Sequence, residues 1–183
     1  KNLFCDEDGN NSKTFFNFIG GLQTYLPDAM LFFAPYVNSY RRFVIDASAP
    51  INTHWGIENR TVAFRVPTSH INSRRIENRI PGADTNPYLA IAVALASGLY
   101  GIEHQIEPTD PITGNAYEIS LPDALQLPRD LNEAAQRLSD SKMAREWFGD
   151  DFIDDTVTLR QHEYTQAHDM DLQAQLARYF ELT

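Results

Sequence analysis

The sequence predicts an α+β fold, and two helix patterns and one strand pattern carry this prediction. Apolar residues recur at three- and four-residue steps from Thr14 to Phe33, as in a helix with one buried face. Tyr88 to Glu103 is almost wholly apolar and follows an Asn-Pro pair, which indicates a buried helix with a capped start. Between them, apolar and other residues alternate from Val62 to Val66, which is typical of a strand.

The remaining elements are shorter or come later in the chain. Val37 to Phe43 is expected to form a short helix and Arg74 to Ile80 a strand. Glu107 to Arg129 contains four prolines and is expected to run over the surface. Two or three amphipathic helices follow, and the last is expected to span Phe152 to Phe180. The paired glycines at 20–21 disfavour a helix, so we expect them to permit close packing against another backbone.

Composition limits the classes of function. The chain has 183 residues and a net charge of −10, which argues against binding to nucleic acid, because that needs clustered basic residues. It contains no apolar run of about 18 residues and no apolar signal-peptide core, so no membrane association is expected. Cys5 is the only cysteine, which excludes an intrachain disulfide framework and fits a cytoplasmic location.

One region of this acidic chain is basic. Seven arginines, no lysine and three acidic residues lie between Arg41 and Arg79. Such a region fits a pocket for a small polyanion. A structural network of ion pairs is the alternative that composition leaves open.

The most informative segment within that region is Arg74 to Arg79. On a strand, side chains two residues apart share a face, so Arg75, Glu77 and Arg79 would project together. The carboxylate suits Mg²⁺, while the flanking guanidinium groups suit phosphate or carboxylate oxygens. The alternative interpretation of the same spacing is a surface strand whose neighbouring acidic and basic side chains neutralise one another.

Several motifs in this chain together resemble the glutamine synthetase family. The family's R-x-E-x-R, NPYLA and G-x-x-G-I motifs match residues 75–79, 86–90 and 98–102, and further matches precede them in the family's order. These earlier matches are Phe18–Leu22, Val37–Arg42 and Asn59–Pro67. The resemblance extends over essentially the whole chain and implies the C-terminal part of the catalytic domain, with antiparallel β-strands packed against several α-helices.

The resemblance also implies roles for individual residues. Glu77 is expected to bind a metal ion, Mg²⁺ or Mn²⁺, among the phosphates of ATP. Arg42 and Arg79 are expected to hold the carboxylate of substrate glutamate. Arg60, the expected catalytic residue, would face the nucleotide phosphates and the transferred phosphoryl group together with Arg65 and Arg75.

The implied reaction is ATP-dependent amide formation at the γ-carboxylate of glutamate by way of γ-glutamyl phosphate. Ammonia-using members of the family carry a flap glutamate at the position of Ser48, and a serine supplies neither its negative charge nor a comparable base. Residues 38–43 and 55–61 are similar to the γ-glutamylpolyamine synthetase branch, which implies putrescine or a related amine as acceptor. Asp46 is considered as a partial substitute for the missing charge.

Two alternatives to this function remain open at the level of sequence. One is an ammonia-using glutamine synthetase, and the other is an inactive paralogue that binds or regulates a partner. Family members also carry an N-terminal β-grasp domain and a first catalytic half, neither of which is matched within residues 1–183. We therefore expect this chain alone to lack ligase activity, and we expect the full-length protein to be a homo-oligomer.

Overall fold

Six α-helices and three short strands form the regular structure of residues 2–45 and 47–180, which are the residues that this computed structural model describes. Five short 3₁₀ helices connect them. The strands are β1 (Trp55–Ile57), β2 (Phe64–Val66) and β3 (Glu77–Asn78). The helices are α1 (Lys13–Tyr25), α2 (Pro87–Glu103), α3 (Leu131–Asp140), α4 (Lys142–Phe148), α5 (Asp150–Ala167) and α6 (Leu172–Tyr179).

The three strands form one mixed sheet in the order β1-β2-β3. Strand β2 pairs with β3 in the antiparallel sense, as expected, and places Arg65 opposite Glu77. Strand β1 pairs with β2 in the parallel sense, which corrects the expectation of antiparallel strands for this pair. The α+β class itself is confirmed.

Helices α1 and α2 cross at a contact that has no room for side chains. A methyl group on Gly21 would overlap the carbonyl oxygen of Ser97 and lie 2.8 Å from the Cα atom of Gly101. A methyl group on Gly20 would overlap the carbonyl oxygen of Ile106 in the same way. The expected role of the glycine pair in close packing is therefore confirmed.

The core lies between α1, the sheet and the C-terminal helices. Helix α1 contributes the buried side chains of Phe15 and Ile19, and β2 contributes Phe64. On the opposite side, Leu138 of α3 and Ile153 of α5 are fully buried. This core supports the sheet, and several arginines of the 41–79 region lie on the strands of that sheet or in the segments next to them.

Three predicted elements differ from the structure in length. Helix α1 ends at Tyr25 rather than Phe33, because Pro27 interrupts it and a 3₁₀ helix covers Met30–Phe32. The expected strand from Arg74 to Ile80 pairs only at Glu77–Asn78. The expected last helix is two helices, since Asp171 caps a new start at α6 by accepting a hydrogen bond from the backbone of Ala174.

Helix α2 begins as expected, with the Asn86 side chain accepting hydrogen bonds from the backbone of Tyr88 and Leu89. It is not fully buried, however. One face packs on α1, while the other exposes 83% of Tyr88 and 67% of Ile91, with Leu95 and Leu99 continuing the stripe. Within the described part of the chain, neither this helix nor any other is long and apolar enough to cross a membrane.

Candidate active site

An arginine between two carboxylates marks the centre of the candidate site. Arg65 on β2 donates from Nη1 to Glu77 at 2.7 Å and from Nη2 to Glu58 at 2.5 Å. The antiparallel register places Glu77 directly opposite Arg65, and Glu58 follows the end of β1 on the other side. Hydrogen bonds from Arg65 and from the backbone of Thr68 lower the pKa of Glu58, and the Glu58 and Glu77 carboxylates raise the pKa of Arg65.

Glu77 forms an ion pair with Arg65, and neither of the arginines that flank it in sequence donates a hydrogen bond to it. Its side chain is 42% exposed, and only its Oε2 atom is engaged by Arg65. Arg75 is exposed, and its one hydrogen bond within the described residues goes to the carbonyl of Ser73 at 3.3 Å. Glu77 therefore pairs with Arg65 across two strands, and the expected row of Arg75, Glu77 and Arg79 on one face stays a prediction.

Arg79 joins two loops at the edge of the sheet. Its Nη1 atom donates to the carbonyls of Arg60 and of Val62, the latter at 3.1 Å, and its Nη2 atom donates to the carbonyl of Ser48 at 2.9 Å. In this arrangement, the guanidinium group fixes the loop before β2 to the segment around residue 48. Its expected contact with substrate glutamate stays a prediction.

Arg42 is half-buried at the end of the 3₁₀ helix Val37–Arg42. Its Nη2 atom donates to the carbonyl of Ile80 at 2.5 Å, and its Nε atom is a buried donor with no acceptor among the described residues. Burial lowers the pKa of Arg42, and the nearby carboxylate of Asp84 opposes that shift. A half-buried guanidinium group whose buried Nε donor is unused fits a carboxylate ligand, which would supply the missing acceptor.

The two loop residues of the expected site face the surface. Arg60 lies in the loop before β2, as its spacing from Arg65 predicts, and its side chain is exposed. Ser48 is also exposed and has a left-handed backbone with φ of 63°. Asp46, which was considered as a substitute charge beside Ser48, lies outside the described residues.

The residues present fit one part of a metal and phosphate site. Glu77 offers a partly exposed carboxylate oxygen, the ligand type that Mg²⁺ prefers, and the neighbouring guanidinium groups suit phosphate oxygens. Within residues 2–45 and 47–180, no three His, Cys, Asp or Glu residues group closely enough to hold a metal ion. Glu77 would therefore act as one ligand among others that this part of the chain does not provide.

Sequence reasoning missed Glu58 and Asp84. Glu58 binds Arg65 and the backbone of Thr68, and Asp84 accepts a hydrogen bond from Ser39 and acts on Arg42. The parallel pairing of β1 with β2 brings Glu58 to Arg65, and no local pattern of residues reveals that pairing. One feature of the sequence could have indicated Glu58 as a partner for an arginine: it is one of only three acidic residues in the arginine-rich region.

Comparison with known proteins decides the family. The protein-family model described as glutamine synthetase, catalytic domain, matches residues 1–179 of this chain. The chain belongs to the glutamine synthetase family. This match confirms the resemblance, and it includes every arginine discussed above together with Glu77.

Individual relatives include ligases for several amines. A glutamate–isopropylamine ligase of a Pseudomonas species is 41% identical over 97% of this chain and 39% of the relative. A type-1 glutamine synthetase 2 of Dictyostelium discoideum is 41% identical over 100% of this chain and 36% of the relative. The γ-glutamylputrescine synthetase PuuA of Escherichia coli K12 is 32% identical over 83% of this chain and 32% of the relative.

A solved structure shares the fold. The structure described as apo GmaS without ligand superposes with a TM-score of 0.78 at 27% sequence identity. It covers 99% of this chain, whereas the chain covers 42% of that structure. The chain thus spans about a third to two fifths of the length of these proteins.

Proposed function

We propose that residues 1–183 form the C-terminal portion of the catalytic domain of an ATP-dependent glutamate–amine ligase. The observation that carries this proposal is the Arg65–Glu77 pair, a guanidinium and a partly exposed carboxylate placed opposite each other by strand register. It lies in a segment whose sequence matches the family throughout.

Each group has a part in the proposed reaction. Arg42, with its unused Nε donor, and Arg79 hold the carboxylate of glutamate. Glu77 binds a Mg²⁺ or Mn²⁺ ion, which when bound neutralises charge on the phosphates of ATP. The exposed side chain of Arg60 stabilises the negative charge on the phosphoryl group during its transfer, and Arg65 and Arg75 bind nucleotide phosphates.

The chemistry proceeds in two balanced steps. The γ-carboxylate oxygen attacks the γ-phosphorus of ATP, so that ADP leaves and γ-glutamyl phosphate forms. The amine nitrogen then attacks the activated carbonyl carbon, phosphate leaves, and the amine loses a proton. In both steps the arginines act by fixed position and charge.

The acceptor is a primary alkylamine in this proposal, with a polyamine such as putrescine as one member of that class. Ser48 removes the flap carboxylate expected in ammonia-using relatives, and the relatives include ligases named for isopropylamine and for putrescine. An ammonia-using enzyme is the second candidate, because a glutamine synthetase is as similar in sequence as the isopropylamine ligase.

A chimera tests the proposal directly. Residues 1–179 would replace the matching segment of the Pseudomonas ligase, and ATP-dependent phosphate release would be measured with glutamate plus isopropylamine, ethylamine, putrescine or ammonia. We expect release with an alkylamine, little with ammonia, and none from the 183-residue chain alone. A chimera that folds and binds ATP but releases no phosphate with any amine would favour the inactive, regulatory alternative.

Glu77→Gln in the same chimera tests the metal role. The amide keeps an oxygen that can accept the hydrogen bond from Arg65 but loses the charge, so we expect activity to fall by at least about 100-fold and the Mn²⁺ requirement to rise. Glu58→Gln is the matched control, since Glu58 pairs with the same guanidinium and is assigned no metal. Equal losses in both variants would show that Arg65 pairing, and not metal binding, explains the effect.

A further inference from the structure

Tyr117 joins the long connection after α2 to the backbone beside Ser48. Its Oη atom donates a hydrogen bond to the carbonyl of Ala49 at 2.9 Å, across 68 residues of sequence. Tyr117 lies in the 3₁₀ helix Ala116–Glu118, and Ala49 is only 5% exposed. Because the carbonyl of a buried residue is costly to leave without a donor, this hydroxyl group holds Ala49 in place.

The neighbouring carbonyl, that of Ser48, has a separate anchor. Arg79 donates to it from Nη2 at 2.9 Å. Ser48 has a left-handed backbone with φ of 63°, which a residue other than glycine keeps only where the surroundings hold it. In the proposed function Arg79 also binds glutamate, so this anchor is shared with a substrate. The anchor from Tyr117 is not shared in that way.

The backbone around Tyr117 is itself fixed by hydrogen bonds. The N–H of Tyr117 donates to the Asn115 side chain at 3.1 Å. The N–H of Ala116 donates to Thr61 Oγ1 at 2.9 Å, and the carbonyl of Ala116 accepts from Asn52 Nδ2 at 3.2 Å. These bonds tie the 3₁₀ helix to the loop before β2 and to the segment before β1. The hydroxyl group of Tyr117 is therefore presented from a fixed support.

We infer that Tyr117 is a positioning residue for the amine step, which holds residues 47–51 beside Arg79. The inference rests on the proposed function, in which residue 48 affects the choice of amine. Without the hydroxyl group, this segment would move away from Arg79 and admit water to γ-glutamyl phosphate. A water oxygen would then attack the activated carbonyl carbon, phosphate would leave, and glutamate would form again with loss of a proton.

The first test is hydrogen exchange of backbone amides in the isolated 183-residue chain, measured by NMR. The N–H of Ala47 donates to the carbonyl of Val44 at 3.2 Å, so its exchange rate reports on this segment. Tyr117→Phe removes the hydroxyl group and keeps the ring. We expect the Ala47 amide to exchange about three- to tenfold faster, the range for the loss of one hydrogen bond. Tyr88→Phe, which removes an exposed hydroxyl group elsewhere, should leave that rate unchanged.

The second test measures amide and phosphate in the same reaction of the chimera with isopropylamine. With Tyr117 in place, one amide should form for each phosphate released. In the Tyr117→Phe chimera, we expect the KM for isopropylamine to rise at least about fivefold, the KM for ATP to change by less than about twofold, and phosphate to exceed amide. A purely structural defect would instead lower kcat and leave both KM values and the ratio of amide to phosphate unchanged. Tyr88→Phe is again the control.

Either of two outcomes would overturn the inference. The first is an equal exchange rate of the Ala47 amide in the wild-type and Tyr117→Phe chains. The second is an active chimera in which Tyr117→Phe changes neither the KM for isopropylamine nor the ratio of amide to phosphate. A chimera that is inactive with Tyr117 in place contradicts the proposed function instead, and the exchange measurement still decides whether Tyr117 holds the segment.

Discussion

Arg65 and Glu77 lie directly opposite each other on β2 and β3, and a 2.7 Å ion pair joins them. Arg65 reaches a second carboxylate, Glu58, on the other side of β2. The sheet thus holds one guanidinium group between two acidic residues at the place where the family motif predicts nucleotide phosphates and a metal ion.

Arg65→Met should greatly reduce ligase activity in the chimera and leave the fold intact. The removed ion pairs are partly exposed and contribute little to stability, but a fixed positive charge beside the transferred phosphoryl group is lost. We expect phosphate release to fall by at least about 100-fold with an unchanged circular dichroism spectrum.

Arg145 provides the matched control for this substitution. It also bridges two carboxylates, Asp150 at 2.9 Å and Asp154 at 2.7 Å, but it lies among the C-terminal helices. Arg145→Met should retain activity within about twofold, because surface ion pairs contribute little. Equal losses in the two variants would contradict a role for Arg65 in the reaction.

Ser48→Glu should shift the chimera toward ammonia. The new carboxylate would stand where ammonia-using relatives carry their flap glutamate, and it would attract an ammonium ion. We expect the ratio of kcat/KM for ammonia to that for isopropylamine to rise about tenfold, the equivalent of about 1.4 kcal/mol. Ala47→Glu places the same charge on the exposed neighbouring residue, and an equal shift in that variant would show that position 48 has no special role.

The carboxyl group of Asp28 should make the folded chain more stable in mild acid than at neutral pH. Burial raises its pKa to about 6, Asp140 adds to the rise, and Arg137 opposes it. The unfolded chain has the ordinary value near 4, so between about pH 4 and pH 6 the folded state binds more protons, and the free energy of unfolding falls as pH rises.

The measurement is urea unfolding of the isolated chain at pH 4.5 and pH 7. From pH 4.5 to pH 7, the free energy of unfolding of the wild-type chain should fall by roughly 1–2 kcal/mol more than that of the Asp28→Asn chain. This figure is reduced for the partial exposure of the carboxyl group. Identical pH dependence in the two chains would show that Asp28 has an ordinary pKa.

Gly21→Ala should destabilise the chain by about 3 kcal/mol. The added methyl group would overlap the Ser97 carbonyl and press on Gly101, both of which are backbone positions in α2 that cannot rotate away. Urea unfolding measures the change. Ala92→Met adds a larger group to the exposed face of α2 and should alter stability by no more than about 0.5 kcal/mol.

The local patterns of the sequence predicted the elements that depend on local physics. The Asn86-Pro87 start of α2, the strand at Phe64–Val66 and the close-packing glycines were all correct. The break before α6 was missed because apolar residues continue across it with helical spacing, and an Asp cap is a weak signal beside such a pattern.

Long-range pairing explains what the patterns missed at the site. Spacing along one strand predicts that Arg75, Glu77 and Arg79 share a face, but it does not reveal that Glu77 pairs with Arg65, twelve residues away, through the antiparallel register. The bond from Arg79 to Ser48 spans 31 residues. Such contacts depend on how strands and loops meet, and no window of neighbouring residues contains that information.

The exposed apolar face of α2 is expected to affect how separate molecules of this chain behave in solution. Tyr88, Ile91, Leu95 and Leu99 form an uncharged ridge over three helical turns, which favours contact between molecules, while the net charge of −10 keeps them apart. Salt screens that repulsion and leaves the apolar attraction intact. We therefore expect the isolated chain to stay dispersed in dilute buffer of low ionic strength.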